Sequence, residues 1–330
     1  METQKVIQQK LSQLSDLGYS GGLDSVLCHI KIAEKHFERA CADKDDHLFT
    51  DVIYRTNHAF EGILNESFSV IAGKSDKFKS PYEIEKFFLE NKLFHPRVMD
   101  QFTHYRKEWR NPSTHDYQLV FSEQEAFLAI LSVSAFVSIL LDQIIESVAR
   151  KIETERVSDR AEDLRKDISG LKDNLVATVS ALALTFSKEK VLSLLNSNQI
   201  LNERIVIGSL AGFIESVSPD INIIIEPVIS YGEKKFRPDM LLERDGQSVI
   251  LEIKNSLIIP GEFPTLDNSA SIQQLVSIMD ASDIGDSILY VYPLTLSMRK
   301  MRQQQLTFSG QKSILVIAPE IYFKGLCAKK

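Results

Sequence analysis

The chain has 330 residues, of which 44% are hydrophobic and 25% are charged, and its formal net charge at pH 7 is −7. This composition excludes a largely disordered chain and a strongly basic one, so any nucleic-acid binding must use a local basic surface. The three cysteines, Cys28, Cys41 and Cys327, lack disulfide or metal-site spacing, which favours the reducing cytoplasm. The polar segment Met1–Lys10 predicts no signal peptide.

Five segments within residues 1–150 have the apolar spacing of helices and predict an all-helical bundle. They cover residues 23–41, 48–72, 81–91, 98–109 and 122–149. The most apolar run, 126–141, is shorter than the roughly 20 residues that cross a bilayer and has carboxylates near both ends. We therefore expect a buried bundle helix there and no membrane association.

One pair of residues in this bundle could carry chemistry. Pro112 is expected to end a helix and to present Arg110 and His115 around a turn. Arginine can bind a phosphorane through its planar guanidinium, and histidine can move protons near neutral pH. The alternative is that Arg110 only caps the preceding helix.

The spacing of Arg110 and His115 resembles the Arg-X4-6-His motif of HEPN domains, with the polar Asn111 after the arginine. The helix that contains residues 55–65 and the long helix after Ser122 also resemble that family. The resemblance implies a homodimer in which Arg110 and His115 form a metal-independent ribonuclease site. Arg97 and His104 match the same short pattern, so the motif alone is weak evidence.

The chain after the bundle changes character at about residue 151. Residues 153–166 alternate in charge and predict a solvated helix. We expect residues 151–198 to form a helical connector between two domains.

The last part of the chain, 199–330, alternates between helical and strand patterns. A helix is predicted at 201–217, followed by strands at 221–229, 240–243 and 249–253, the last two joined through Gly246 as a hairpin. A helix at 271–279, a strand at 287–293, a helix at 296–306 and a strand at 312–319 complete the order αβββαβαβ.

Two carboxylates and a lysine lie on the predicted hairpin. Glu252 and Lys254 share one face of a strand because side chains alternate, and Asp239 can meet Glu252 across the strand pair. Carboxylates, together with the backbone carbonyl of Ile253, are suitable ligands for Mg²⁺. Lys254 would then position a water or stabilise negative charge on a phosphate.

The literal sequences Pro238-Asp239 and Glu252-Ile253-Lys254 resemble the motif of PD-(D/E)XK nucleases, the restriction-endonuclease-like fold. The resemblance covers residues 201–319. It implies that Asp239, Glu252 and Lys254 are catalytic and that Asp239 and Glu252 bind Mg²⁺, with Mn²⁺ as an alternative.

The same family implies two supporting residues. A glutamate in the first helix often adds a metal contact, for which Glu203 is preferred over Glu215 because Glu215 lies near the helix end. Mrr-like branches place a glutamine on the helix after the Glu-X-Lys strand, and Gln274 matches that position. Ile278 stands where those branches have tyrosine, which weakens a subfamily assignment.

These patterns predict an α + α/β protein: a HEPN-like bundle over 1–150, a connector over 151–198 and an αβββαβ nuclease-like domain over 199–330. The resemblances imply a Mg²⁺-dependent DNA endonuclease in prokaryotic defence against phage or plasmids. One alternative is a HEPN ribonuclease whose C-terminal domain senses DNA or RNA, and another is a non-catalytic interaction protein. The cations of 234–237 could bind a phosphate backbone or form a solvated turn.

Overall fold

The structure is a computed structural model that describes residues 2–19, 21–73, 79–91, 93–94, 96–116, 118–196, 201–256, 270–308 and 312–323. The chain folds into two compact units, Met1–Val148 and Ala149–Lys330. The predicted combination of a helical first part and a mixed α/β second part is confirmed at this level.

The described elements of the first unit are all helical, as the apolar spacing predicts. They are α1 (Glu2–Asp16), α2 (Leu23–Asp43), α3 (His47–Ala72), α4 (Pro81–Glu90), α5 (Pro96–Tyr105), α6 (Asn111–His115) and α7 (Glu123–Val157), whose last turns belong to the second unit. Helix α1 was not assigned from the sequence, although Ile7 and Leu14, one apolar residue in each half of it, are buried.

Aromatic side chains form the centre of the first unit. The rings of Phe60 and Tyr105 lie 4.7 Å apart, and Phe102 meets Phe136 edge to face, also at 4.7 Å. The buried hydroxyl of Tyr105 donates to Asn57 Oδ1 at 3.0 Å. The core therefore joins α3, α5 and α7 without leaving this phenol unpaired.

The chain between α5 and α6 does not form the predicted turn. Residues Arg106–Arg110 form a π-helical turn, and the Asn111 N–H donates to the carbonyl of Arg106. A wider turn of this kind accommodates Pro112, which lacks an N–H and would clash with the carbonyl four residues earlier in a regular α-helix. Arg110 and His115 consequently lie on one continuous helical stretch, and the predicted turn between them is wrong.

The apolar run on α7 belongs to the only helical segment in the described part of the chain that is long and apolar enough to cross a membrane, Glu123–Asp167. Its most apolar window is 56% buried within the fold. Burial of this extent is typical of a core helix in a soluble protein, as the sequence predicted.

The second unit contains helices on both faces of a mixed sheet. Its helices are α8 (Ala161–Asp167), α9 (Leu175–Phe186), α10 (Leu192–Asn196), α11 (Glu203–Val217) and α12 (Ala270–Ser282). Its strands are β1 (Asn222–Ile225), β2 (Ile229–Tyr231), β3 (Lys234–Phe236), β4 (Met240–Arg244), β5 (Gln247–Asn255), β6 (Asp286–Tyr292), β7 (Met301–Phe308) and β8 (Lys312–Pro319).

Among the described residues, the main sheet has six strands in the order β1-β4-β5-β6-β8-β7. Strands β5, β6 and β8 are parallel, and the other neighbours are antiparallel. Strands β2 and β3 form a separate antiparallel hairpin.

The central strand β5 is covered on both faces, so its apolar residues form a nearly continuous run. Leu251 and Ile253 belong to the apolar cluster that contains α9 and α11. Ile250 belongs to a second cluster that contains α12. This burial explains why the alternating pattern of a half-exposed strand is missing from 249–253.

The predicted helix at 296–306 is wrong. Leu296–Met298 forms only a short 3₁₀ turn, and Met301–Phe308 is the edge strand β7, paired antiparallel with β8. Its methionine, arginine and glutamine residues favour helices, but the open edge of β8 offers a full ladder of backbone hydrogen bonds. Tertiary pairing therefore outweighed the local preference.

The expected connector, 151–198, is part of the second unit. Leu175, Val179 and Phe186 on α9 are completely buried in the apolar cluster with α11. The guanidinium of Arg244 on β4 donates to the carbonyl of Lys172 at 2.6 Å. The apolar half of the segment thus covers one face of the sheet, because that face needs a packing partner.

Helix α11 approaches the end of α7 at a glycine. A Cβ added at Gly212 would lie 2.4 Å from the carbonyl oxygen of Arg150, which is backbone and cannot rotate away. The two helices can therefore be this close only because residue 212 has no side chain.

We expect Gly212→Ala to destabilise the protein by about 1–3 kcal/mol, although alanine is the better helix former, because the helices must separate. The midpoint and slope of urea unfolding measure the change. Gly170→Ala is the control, since an added Cβ there meets no atom within 4 Å. Equal unfolding midpoints for both variants would contradict the close approach.

Candidate active site

The register of the β4–β5 pair places two carboxylates side by side. Met240 pairs with Leu251, and the same register continued by one residue puts Asp239 opposite Glu252. Strands β5 and β6 run parallel, and Glu252 lies towards the carboxyl end of β5. Ligands commonly bind beyond the carboxyl ends of parallel strands in α/β sheets.

Three of the predicted residues meet at this point. The Lys254 ammonium lies 2.8 Å from Glu252 Oε1 and 3.8 Å from Asp239 Oδ2. The Asp239 N–H donates to Glu252 Oε2 at 3.3 Å, and the Ile253 N–H donates to Asp239 Oδ2 at 2.7 Å. The two carboxylates are thus close enough to share one cation, which in this structure is the ammonium of Lys254.

The charge state of Asp239 reflects its surroundings. Burial and the nearby charge of Glu252 raise the pKa of Asp239 from 3.8 to about 7, and Glu203 acts in the same direction. Lys254 and the hydrogen bond from Ile253 oppose this rise. The negative charge in the pocket is therefore incompletely balanced, which favours a proton or another cation on Asp239.

Lys254 is held in its charged form. Burial by itself would lower its pKa, but the carboxylates of Asp239 and Glu252 raise it above the ordinary lysine value. The Glu252 side chain is only 3% exposed. A buried glutamate of this kind requires a cationic partner, and Lys254 provides it.

Glu203 is the first residue of α11, directly after the N-cap residue Asn202. The negative charge of Glu203 contributes to the raised pKa values of Asp239 and Lys254. Burial raises the pKa of Tyr292, and the charge of Glu203 adds to that rise. The competing residue, Glu215, instead pairs with Arg150 at 3.0 Å. Of the two glutamates, Glu203 is therefore the one whose charge affects Asp239, and its role as a site residue stays a prediction.

Glu226, which was not predicted as a site residue, contacts the backbone of Asp239 and two arginines. The Glu226 N–H donates to the Asp239 carbonyl at 2.9 Å, and the backbone of Glu226 is left-handed, with φ of 47°. Its carboxylate lies 2.6 Å from Arg204 Nη1 and 3.6 Å from Arg237 Nη1. Two guanidinium groups are therefore held beside the candidate site, and only the proximity of 226–227 to the Pro-Asp motif hinted at this in the sequence.

A tyrosine beside the site was also missed. Tyr292 is buried at the end of β6, its phenol hydrogen-bonds with the Asn255 side chain, and the charges of Glu203 and Asp239 act on it. Asn255 and Tyr292 are parallel register partners, so the pairing of β5 with β6 was needed to find this pair.

The predicted supporting residue Gln274 makes no hydrogen bond that joins it to this group in the described part of the chain. Gln274 lies on α12, as predicted, and is exposed, while Ile278 on the same helix is buried.

Arg110 and His115 belong to the first unit. The Nε of Arg110 donates to Glu61 Oε1 at 2.7 Å, and its Nη1 donates to Asn111 Oδ1 at 3.1 Å. His115 is exposed at the end of α6. Within one chain, Arg110 thus has a carboxylate partner instead of a histidine.

The donor set at the candidate site fits a divalent cation. Glu203, Asp239 and Glu252 with Lys254 have a formal charge of −2 when all are ionised, from three carboxylates and one ammonium. In the described part of the chain, no three His, Cys, Asp or Glu side chains are grouped closely enough to hold a metal by themselves. Mg²⁺ commonly uses one or two carboxylates and completes its shell with water and phosphate oxygens.

We expect Asp239→Asn to stabilise the protein by about 1–3 kcal/mol at about pH 8 and by much less at about pH 4.5. The folded-state pKa of Asp239 is raised, so its native form binds a proton more tightly than the unfolded chain. The wild-type protein therefore loses stability as the pH rises from 3.8 to about 7, and the neutral amide avoids this loss. Urea unfolding at both pH values, without metal, measures the difference, and an equal effect at both would contradict it.

Comparison with known proteins identifies no relative of this chain. No family model matches the chain, and no curated protein or solved structure is significantly similar to it.

Proposed function

We propose that the second unit is a Mg²⁺-dependent nuclease that hydrolyses phosphodiester bonds of DNA, with Asp239, Glu252 and Lys254 as its catalytic residues. The observation that carries the proposal is the pair of carboxylates that share one cation at the carboxyl end of a central strand. A charged cluster in such a buried place is costly, which favours a functional explanation over a purely structural one.

The order of elements supports the restriction-endonuclease-like fold that the PD-(D/E)XK resemblance implies. Helix α11, strands β1, β4 and β5, helix α12 and strand β6 follow one another in the expected αβββαβ succession. The hairpin β2–β3 is inserted between β1 and β4, directly before the Pro-Asp motif.

Each residue has a role that follows from its position. Asp239 and Glu252 would hold Mg²⁺, with Mn²⁺ as an alternative, and Glu203 would add negative charge or a water-mediated contact. The metal, when bound, lowers the pKa of a coordinated water and neutralises charge on the phosphate. Lys254 now contacts both carboxylates, and after metal binding its ammonium would donate a hydrogen bond to the attacking water or to a phosphate oxygen.

We expect Asp239→Asn, Glu252→Gln and Lys254→Met each to reduce Mg²⁺-dependent DNA cleavage by about 100-fold or more, because each removes a group that contacts the reacting atoms or their metal. Glu203→Gln should have a smaller effect. Single-turnover cleavage of labelled DNA, with Mg²⁺ or with chelator, measures the rates. The control is Glu215→Gln, on the same helix as Glu203 but paired with Arg150.

The same assay tests the two alternatives. RNA cleavage that resists chelator and is lost in His115→Ala would contradict the proposal and favour a ribonuclease site in the first unit. The carboxylate Glu61, already bonded to Arg110, would then have to release the guanidinium. Wild-type protein that cleaves neither DNA nor RNA would favour an interaction protein.

Metal binding can be measured without catalysis. We expect Mg²⁺ in excess to raise the thermal midpoint by about 2–4 °C at about pH 8 and by little at about pH 5.5, because a proton on Asp239 competes with the metal. Glu252→Gln should lose most of this increase, whereas Glu215→Gln should keep it. Equal stabilisation of Glu252→Gln and wild type by Mg²⁺ would place the metal elsewhere.

The wider biological role is a proposal from the resemblances alone. A helical first unit of the HEPN kind would pair two copies of the chain, and a DNA-cutting second unit would suit defence against phage or plasmids. Analytical ultracentrifugation tests the pairing, and a phage challenge of cells that express wild-type or Asp239→Asn protein tests the role.

A further inference from the structure

The hairpin β2–β3 leads directly into the candidate site. Its strands are joined at Gly232, whose φ is +57°, a value that suits glycine in a tight hairpin. Ile229 pairs with Phe236 across the hairpin, and both pack against the apolar cluster that contains α12. One end of the hairpin is thus fixed to the body of the unit.

The other end of the hairpin presents an aromatic ring and two cations to solvent. Tyr231 is 62% exposed and pairs in register with Lys234, so the two side chains lie beside each other on one face. Lys235, on the opposite face, is also exposed. Among the described residues, no ion pair neutralises Lys234 or Lys235.

An exposed tyrosine beside exposed lysines offers a flat ring and positive charge to a ligand from solvent. The ring contributes little to the core at this exposure, and neighbouring lysines repel each other and bind anions readily. Glu233 is also exposed at the turn, so the one carboxylate and two ammonium groups of 231–235 give this tip a formal charge of +1, in a chain whose net charge is −7.

The cations continue towards the carboxylates. Arg237 follows β3 and is held by Glu226, whose backbone N–H donates to the Asp239 carbonyl. Lys234 is five residues before Asp239 and can be at most roughly 18 Å from it along the chain. The hairpin is therefore within reach of nucleotides that flank a reacting phosphate at Asp239.

We propose that the hairpin binds DNA whose bases are unpaired next to the cleaved bond. Tyr231 stacks on one exposed base, while Lys234 and Lys235 contact the flanking phosphates. Unpaired DNA is favoured over a continuous duplex because a flat aromatic side chain can stack on a base only when that base is free of its neighbours. The inference rests on the proposed function for the kind of polymer that is bound.

Binding can be measured separately from cleavage. The full-length chain with Asp239→Asn, in chelator, is titrated against a fluorescent single strand of about 16 nucleotides and against the matching duplex, with anisotropy as the readout. We expect tighter binding of the single strand. Tyr231→Ala should weaken it about 10-fold, and Tyr231→Phe, which keeps the ring, should preserve it.

We expect the lysines and the tyrosine to affect the salt dependence of binding differently. Replacing Lys234 and Lys235 together by glutamine should weaken binding and reduce the slope of log affinity against log salt by about 1.4, as expected for the loss of two contacts to a single strand. Tyr231→Ala should leave that slope unchanged. Tyr82→Ala is the matched control, because Tyr82 is 59% exposed in the first unit.

Three results would overturn the inference: equal affinity for duplex and single strand, unchanged single-strand binding by Tyr231→Ala, or binding of anionic vesicles without binding of DNA. If the wild-type chain cleaves no DNA but Tyr231→Ala loses binding, the proposed nuclease fails and the hairpin inference stands. If the wild type cleaves DNA and the hairpin variants bind and cleave like it, the inference fails and the nuclease stands.

Discussion

The second unit depends on one electrostatic constraint: Glu252, almost completely buried, must share the ammonium of Lys254 with Asp239. Burial and the charge of Glu252 together raise the pKa of Asp239, and two carboxylates beside one cation leave the negative charge incompletely balanced. The sheet keeps the two carboxylates together because β5 is a central strand packed on both faces, and the Glu252 side chain is only 3% exposed. A site that is only partly neutralised in this way is prepared to take up a further cation.

The packing around the site holds further charged side chains near Asp239. Helix α11 places Glu203 at its first position and reaches the end of α7 through the glycine contact at Gly212. Glu226 holds Arg204 and Arg237 beside Asp239, so positive side chains flank the carboxylates. Carboxylates thus lie next to guanidinium groups, a combination on which the proposal of phosphodiester hydrolysis rests. In the first unit, by contrast, Arg110 is bound by Glu61 within the chain, which would have to change before the arginine could bind a substrate.

Local sequence predicted most elements but not every one. Residues 240–243 and 249–253 were predicted as the strands of a hairpin joined through Gly246, and the structure has that hairpin. Residues 296–306 were predicted as helix, yet pairing with the edge of β8 makes Met301–Phe308 a strand. Pro112 was predicted to end a helix, yet a π-helical turn accommodates it. In both failures, backbone hydrogen bonds determined the outcome, and side-chain patterns do not report where those bonds can form.

The sequence by itself determined which residues could form the candidate site: the alternation of a strand puts Glu252 and Lys254 on one face, and the hairpin register puts Asp239 beside Glu252. It also determined the division into a helical part and an α/β part, because helices and strands differ in apolar period. Only the tertiary structure decided the partners that come from distant positions. Tyr292 is brought to Asn255 by parallel strand pairing, Glu226 is brought to Arg204 by the approach of α11, and α9 joins the core of the second unit. These contacts join residues that are far apart in the chain, and their free energy comes from burial and charge pairing that no local pattern encodes.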